Sequence, residues 1–215
     1  MLALAQKYFI EPPEYISLGG GLFGKMNESL KVQFNTKIPS YKEYAEAVAI
    51  KIRDFYKDID PKSQPKLFIE PGTALVGDVL KFVTKVVNIK DVRGKKIATL
   101  AGSIYNINPT LNKKNLPITI YHHPNNTNSR NEYKDLDFGG YTCIESDYLY
   151  RGFCGRLAVG DYVVFDNVGS YSVVLKPPFI LPNFPIVEFN EDTDSVELIK
   201  RSETFEDLFQ TFSFD

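Results

Sequence analysis

Between Tyr15 and Gly72 the chain reads as a short apolar strand, a glycine cluster, an amphipathic helix and a second apolar strand, and that order admits few folds. Tyr15-Ile16-Ser17-Leu18 runs into Gly19-Gly20-Gly21, where the strand ends in a bend. Ser40-Tyr41-Lys42-Glu43 has the form of a capping box, and Tyr44, Ala45, Val48, Ile52 and Phe55 recur behind it at helical spacing, which predicts a helix over 41–57. Lys66-Leu67-Phe68-Ile69 is a second strand, stopped by Glu70-Pro71-Gly72 because proline cannot donate to a ladder and glycine supplies the turn. A strand, helix, strand unit needs a crossover, and so implies parallel strands with helices outside them. Two strands and one helix leave unpaired edges and an apolar face, so residues 1–77 read as part of something larger. Either a partner chain completes the sheet, or the polypeptide is a piece of a longer gene product.

After Gly77 the texture changes. Val79 to Ile89 is rich in β-branched residues, and Ile97–Leu100, Ile118–Tyr121, Tyr162–Phe165 and Tyr171–Leu175 follow as strands between turn residues. This predicts an all-β region over 78–215, with an Asn-rich loop from Pro124 to Asn131 and a last short helix, Glu203 to Phe212, capped by Ser202. A helix over Leu2–Tyr8 opens the chain, before the break at Glu11-Pro12-Pro13.

At 215 residues and 43% hydrophobic content the chain is long enough for one large globular domain or two small ones. A net charge of -2, with acidic and basic residues interspersed, gives no broad field to hold nucleic acid or an anionic membrane. Nothing at the start resembles a secretory leader and no apolar run approaches the ~20 residues that span a bilayer, so a soluble, cytoplasmic protein is expected. Cys143 and Cys154 do not make a disulfide framework or a metal site. His122 and His123, as neighbours in an extended segment, point to opposite faces, which disfavours their sharing one metal; no metal site is expected.

Three stretches carry candidate chemistry. Three glycines after a buried strand let the backbone approach a ligand and can aim N–H groups at a phosphate, although the same triplet also serves a tight turn with no ligand. Glu70-Pro71-Gly72-Thr73 puts a carboxylate at the C-terminal edge of a parallel sheet, where ligands of such folds sit; Glu70 could pair with a cationic ring nitrogen, and Gly72 with Thr73 could add phosphate donors. The alternative is an exposed acid opening a helix, which the macrodipole favours anyway. Gly139 to Asp147 sets Cys143 beside Glu145 and Asp147 in a glycine-opened loop; a thiol there could act as a proton donor, or be an inert structural cysteine. Cys154, in Arg151-Gly152-Phe153-Cys154-Gly155, reads as structural.

Taken in order, these pieces resemble the fold-type III pyridoxal-phosphate decarboxylases, the family of ornithine, arginine and diaminopimelate decarboxylases, from about Met1 to Phe209. Leu18-Gly19-Gly20-Gly21 resembles that family's phosphate-holding glycine loop, and Ile69-Glu70-Pro71-Gly72 its Glu-Pro-Gly-Arg motif, whose glutamate pairs with the pyridine nitrogen. Gly140-Tyr141-Thr142-Cys143 resembles the loop that carries a catalytic cysteine across a dimer interface. Phe165-Asp166-Asn167-Val168-Gly169-Ser170-Tyr171 resembles the late strand whose tyrosine reaches the phosphate, and Leu157-Ala158-Val159-Gly160-Asp161 the turn before it. The resemblance implies α/β plus all-β architecture: the last two strands of a (β/α)8 alanine-racemase-like barrel over 1–77, then a C-terminal β-domain over 78–215. It also implies pyridoxal 5′-phosphate as cofactor, a small amino-acid substrate, and a homodimer with a shared active site.

The departures from the family pattern bear on function. Thr73 stands where the family has an arginine on the phosphate, and a hydroxyl offers one neutral hydrogen bond in place of a charged, forked contact. Ile144 follows the cysteine where the family has an acidic residue facing the substrate; Glu145 or Asp147 would have to take that task. Asn108-Pro109 occupies the place where diaminopimelate decarboxylases present an arginine to a substrate carboxylate, which argues against that specificity. No segment resembles the strand carrying the lysine that bonds the cofactor, so this chain alone is expected to be inactive. The leading expectation is a decarboxylase segment. The rivals are a catalytically inactive homologue that pairs with an active decarboxylase, and a racemase of the same architecture.

Overall fold

The computed structural model describes residues 2–213. The chain divides into two units: one holds the sequence up to Lys81 together with Asp166–Ser170, the other Phe82–Phe165 and Tyr171 onward.

In the first unit, helix α1 (Leu2–Tyr8) precedes strand β1 (Tyr15–Ser17), and a short helix α2 (Glu28–Lys31) follows the glycine cluster. Next come helix α3 (Tyr41–Tyr44), a π-helical turn (Ala45–Ala49) and helix α4 (Ile50–Phe55), running without interruption. The capping box forms as expected: the Ser40 side chain accepts from the Glu43 backbone while the Glu43 carboxylate reaches back to Ser40 N–H at 2.8 Å. Lys37 also bonds Glu43, and this contact first, then the Ser40 donors, lowers the Glu43 pKa to about 2. Strand β2 (Lys66–Phe68) pairs in parallel with β1, Ile16 lying opposite Leu67. Ile16, Ile52 and Tyr56 form the buried cluster here, with Leu2, Val48, Ile59 and Leu67 packed against it. Helix α5 (Gly72–Val76) follows β2 directly.

Residues 166–170 are tied to this unit through backbone bonds, Val168 N–H to Leu80 O and Gly169 N–H to Gly77 O, both at 3.1 Å. At Gly169 a Cβ would stand 1.7 Å from Val76 O, so only glycine lets the segment lie that close.

The second unit is built on a six-stranded sheet of order β5-β8-β3-β4-β6-β7. Its strands are β3 (Phe82–Val92), β4 (Lys95–Leu100), β5 (Ile118–Tyr121), β6 (Asn131–Gly139), β7 (Tyr148–Leu157) and β8 (Tyr162–Phe165). Only β4 and β6 run parallel; the other pairs are antiparallel. Helix α6 (Ile104–Ile107) follows β4. Val86, Ala98, Leu100, Leu136, Phe138, Leu157, Val163 and Phe165 are fully buried. Strands β9 (Ile186–Asn190) and β10 (Ser195–Lys200) make a separate antiparallel hairpin, ahead of helix α7 (Phe205–Phe209).

Several expectations are corrected. Tyr171–Leu175 is not a strand: Val174 and Leu175 N–H both donate to Tyr171 O, and β-branched propensity gives way to local hydrogen bonding. The last helix is shorter than expected and begins after Thr204, not Ser202; Thr204 N–H and hydroxyl both donate to Asp207, whose carboxyl Arg201 and Thr204 together hold far below the usual range. Strands β6 and β7 escape a reading by pattern because charges and glycines interrupt their alternation. Asp137, within β6, is nonetheless 3% exposed, and its carboxylate is matched by Gly152 N–H at 2.8 Å, Arg151 at 3.0 Å and Lys95 at 3.3 Å.

Candidate functional site

The parallel pairing of β1 and β2 brings their C-terminal ends, and the turns beyond them, side by side. Leu18 N–H donates to Phe68 O at 3.1 Å, and Glu70 N–H to Gly19 O at 2.8 Å. The Gly19-Gly20-Gly21 turn and the Glu70-Pro71-Gly72 turn therefore share one backbone ladder. Gly19 and Gly21 have φ of 66° and 78°, in the left-handed region that favours glycine. At Gly20 the constraint is space: a Cβ would stand 2.7 Å from Glu70 O. Gly24 packs the same way on α5, where a Cβ would come within 2.8 Å of Ala74 Cα and Thr73 O; sequence reasoning misses it because a single glycine carries no motif.

Glu70, Gly72 and Thr73 lie on this edge and are all exposed. Pro71 precedes α5, and its missing N–H is no loss at a helix start. The Ser170 hydroxyl is buried with no hydrogen-bond partner among the described residues, and it stands 3.6 Å from where a Gly77 Cβ would be. Two backbone turns are thus held together where a Cβ would obstruct them; the Gly20 and Gly21 N–H groups could receive an anion, and the exposed Glu70 carboxylate a cationic donor.

The second group of candidates occupies one loop between β6 and β7. Cys143 is exposed, and so is Glu145. Asp147 is 4% exposed, and both its oxygens are taken: Oδ1 accepts from Ile104 N–H at 2.7 Å and Ser103 Oγ at 3.0 Å, Oδ2 from Thr142 Oγ1 at 2.6 Å and Thr142 N–H at 3.1 Å. In this conformation it ties the loop to the start of α6. Gly140 is needed beneath it, since a Cβ there would lie 2.2 Å from Asp147 Oδ2. Burial, then the Asp147 charge, pushes the Tyr141 hydroxyl pKa up. Asn108 closes its own turn, donating to Asn112 O at 2.6 Å and accepting from Thr110 Oγ1 at 2.9 Å.

Tyr171 opens the turn that Val174 and Leu175 N–H close on its carbonyl, and it is 52% exposed with φ of 64°. It belongs to the second unit, whereas Gly19, Gly20, Gly21, Glu70, Gly72 and Thr73 belong to the first. Cys154 donates its thiol to Lys134 O at 2.7 Å. His122 meets the buried Asp161 at 2.5 Å, while His123 Nδ1 accepts from Asn125 N–H at 3.2 Å, so the two imidazoles have separate partners.

Residues 74–169 match a known family, described as the C-terminal sheet domain of pyridoxal-dependent decarboxylases. The Cys143 loop falls inside that match, the glycine turn and Glu70 precede it, and Tyr171 follows it. A diaminopimelate decarboxylase of Bacteroides thetaiotaomicron is 27% identical over 179 residues, covering 80% of this chain and 41% of that protein. Among solved structures, the diaminopimelate decarboxylase of M. jannaschii superposes with a TM-score of 0.73 at 24% identity, over 100% of this chain and 46% of that one. The arginine decarboxylase of Paramecium bursaria Chlorella virus superposes at 0.57 and 22% identity, over 78% of this chain and 42% of that one. The chain thus spans less than half the length of these relatives.

Proposed function

We propose that this chain, whose residues 74–169 match the C-terminal sheet domain of the pyridoxal-dependent decarboxylases, is the cofactor-gripping portion of an amino-acid decarboxylase that uses pyridoxal 5′-phosphate. The observation that carries the reading is the shared ladder of the two turns, with Gly20 pressed against Glu70. Backbone N–H groups of Gly20 and Gly21 would receive the phosphate, with Gly72 N–H and the Thr73 hydroxyl adding donors, while Gly19, whose N–H donates to Ser17 Oγ at 3.2 Å, shapes the turn. The Glu70 carboxylate would accept a hydrogen bond from the protonated ring nitrogen. When bound, the cofactor supplies an electron sink for the pair of electrons left behind as carbon dioxide departs.

Cys143 is assigned to proton delivery at the reacting carbon, from a second copy of the chain in a homodimer that shares its sites. Glu145, exposed beside it, is the acid available to a substrate amine; Asp147 keeps the loop in shape. Thr73 in place of the family's arginine makes the phosphate grip depend more on backbone donors. Among the described residues no helix is long and apolar enough to cross a membrane. We place the protein in the cytoplasm, in keeping with its two free thiols.

Two measurements test the reading. Equilibrium dialysis of the chain against pyridoxine 5′-phosphate and against pyridoxine, which lack the aldehyde that would label surface lysines, should show the phosphate form retained at least about tenfold better. The gene product that carries this sequence, purified with pyridoxal 5′-phosphate, should release carbon dioxide from a basic or dicarboxylic amino acid. No preference for the phosphate form and no release would sink the proposal; binding without release would favour the inactive, partner-pairing homologue.

A further inference from the structure

Resting on the reading that the glycine turn and the Glu70 turn grip the cofactor, we propose that Tyr41 and Tyr44 are positioning residues that clamp these two turns to each other from one helix. The Tyr44 hydroxyl accepts a hydrogen bond from Phe23 N–H at 3.1 Å, and the Tyr41 hydroxyl donates to Ala74 O. Phe23 lies two residues beyond Gly21, and Ala74 is the residue after Thr73. One contact therefore restrains the chain leaving the phosphate turn, and the other restrains the helix whose first turn carries Gly72 and Thr73.

The helix is suited to this. Tyr41 and Tyr44 are three apart, hence neighbours on one face, and the capping box at Ser40 and Glu43 fixes the turn that bears them. The π-helical turn Ala45–Ala49 comes immediately after. Such a turn fits in one extra residue, which rotates the first helical turn by about 100° relative to the later ones. The first turn can then address the two loops while Ile52 and Tyr56, beyond the π turn, pack on Ile16 behind the strands. Gly24 completes the clamp, because only its lack of a side chain lets the glycine loop lie on Ala74. The Ala74 carbonyl lies in the last turn of the five-residue α5, among helix-end carbonyls that need an outside donor.

Tyr41→Phe and Tyr44→Phe each delete one hydroxyl and little volume. In equilibrium dialysis each should weaken pyridoxine 5′-phosphate binding about five- to tenfold, the effect of one hydrogen bond, and leave pyridoxine binding unchanged. Amide exchange should quicken at Phe23 in Tyr44→Phe but not in Tyr41→Phe. Far-UV circular dichroism melts confirm that both variants fold. Phosphate-form binding equal to wild type in both variants overturns the proposal, as does equal weakening of both ligands. If the unmutated chain itself does not distinguish the two ligands, the cofactor-site reading fails, and this inference falls with it.

Discussion

The two units hold their shape by different means. The second has a six-stranded sheet with eight apolar side chains at zero exposure, and even its buried carboxylates Asp137, Asp147 and Asp161 are surrounded by donors. The first rests on two three-residue strands and a cluster of three buried side chains, while Tyr15, Phe68 and Ile69 stay about half exposed. Yet the first unit carries the turns that fit a ligand. Glycine backbone and exposed polar ends suit ligand binding because they bury little, and they leave local stability low for the same reason.

Breaking the second unit should have the largest effect. Phe165→Ala removes a fully buried ring at the junction of β8 with β3 and β5, and should cost about 3–5 kcal/mol in urea denaturation. Ile52→Ala in the first unit should instead raise amide exchange around β1 and β2 while protection in β4 and β6 persists. Loss of protection in both units together would erase the contrast. Next, Asp147→Ala leaves Ser103, Ile104 and Thr142 donors without their acceptor and should cost about 2–4 kcal/mol, with faster exchange at Ile104 and Thr142 N–H. Unchanged exchange there would show that the loop is held by something else.

Gly20→Ala forces a Cβ against Glu70 O and should strain the first unit by about 1–3 kcal/mol without moving the unfolding of the second, as read by amide exchange. The smallest effect is pH-dependent. Glu43 has a depressed folded pKa, so the cap stability it supplies is fully present above the unfolded carboxyl pKa near 4.5 and is lost as pH falls through about 2. Helix NMR signals over 41–55 should therefore weaken between about pH 4.5 and 2, and Glu43→Gln should abolish that titration. A titration that survives the substitution would assign it to another group.

Periodicity and caps made the first unit's elements legible: β1, β2 and the helix behind Ser40 lie where their patterns put them. The π turn inside that helix has no sequence signature, since Ala45–Ala49 continues the same helical spacing as its neighbours. In the second unit β5 and β8 were legible as β-branched runs, but β6 and β7 were not, since their buried Asp137 makes sense only beside Lys95 and Arg151. Likewise the glycines of the turn after β1 stand out as a triplet, whereas Gly24, Tyr41 and Tyr44 make their contacts across tens of residues. Asp147 reads as a substrate acid from its neighbourhood in sequence; the four donors around it in space tie it to the loop.

The central claim, that the glycine turn and Glu70 turn grip a phosphorylated pyridine, is tested most directly by ³¹P NMR of pyridoxine 5′-phosphate titrated with the chain and with Gly20→Ala. The account predicts a saturable shift of the phosphate resonance with the unmutated chain, competed by pyridoxal 5′-phosphate and lost in Gly20→Ala. No shift, or the same shift with Gly20→Ala, would contradict it.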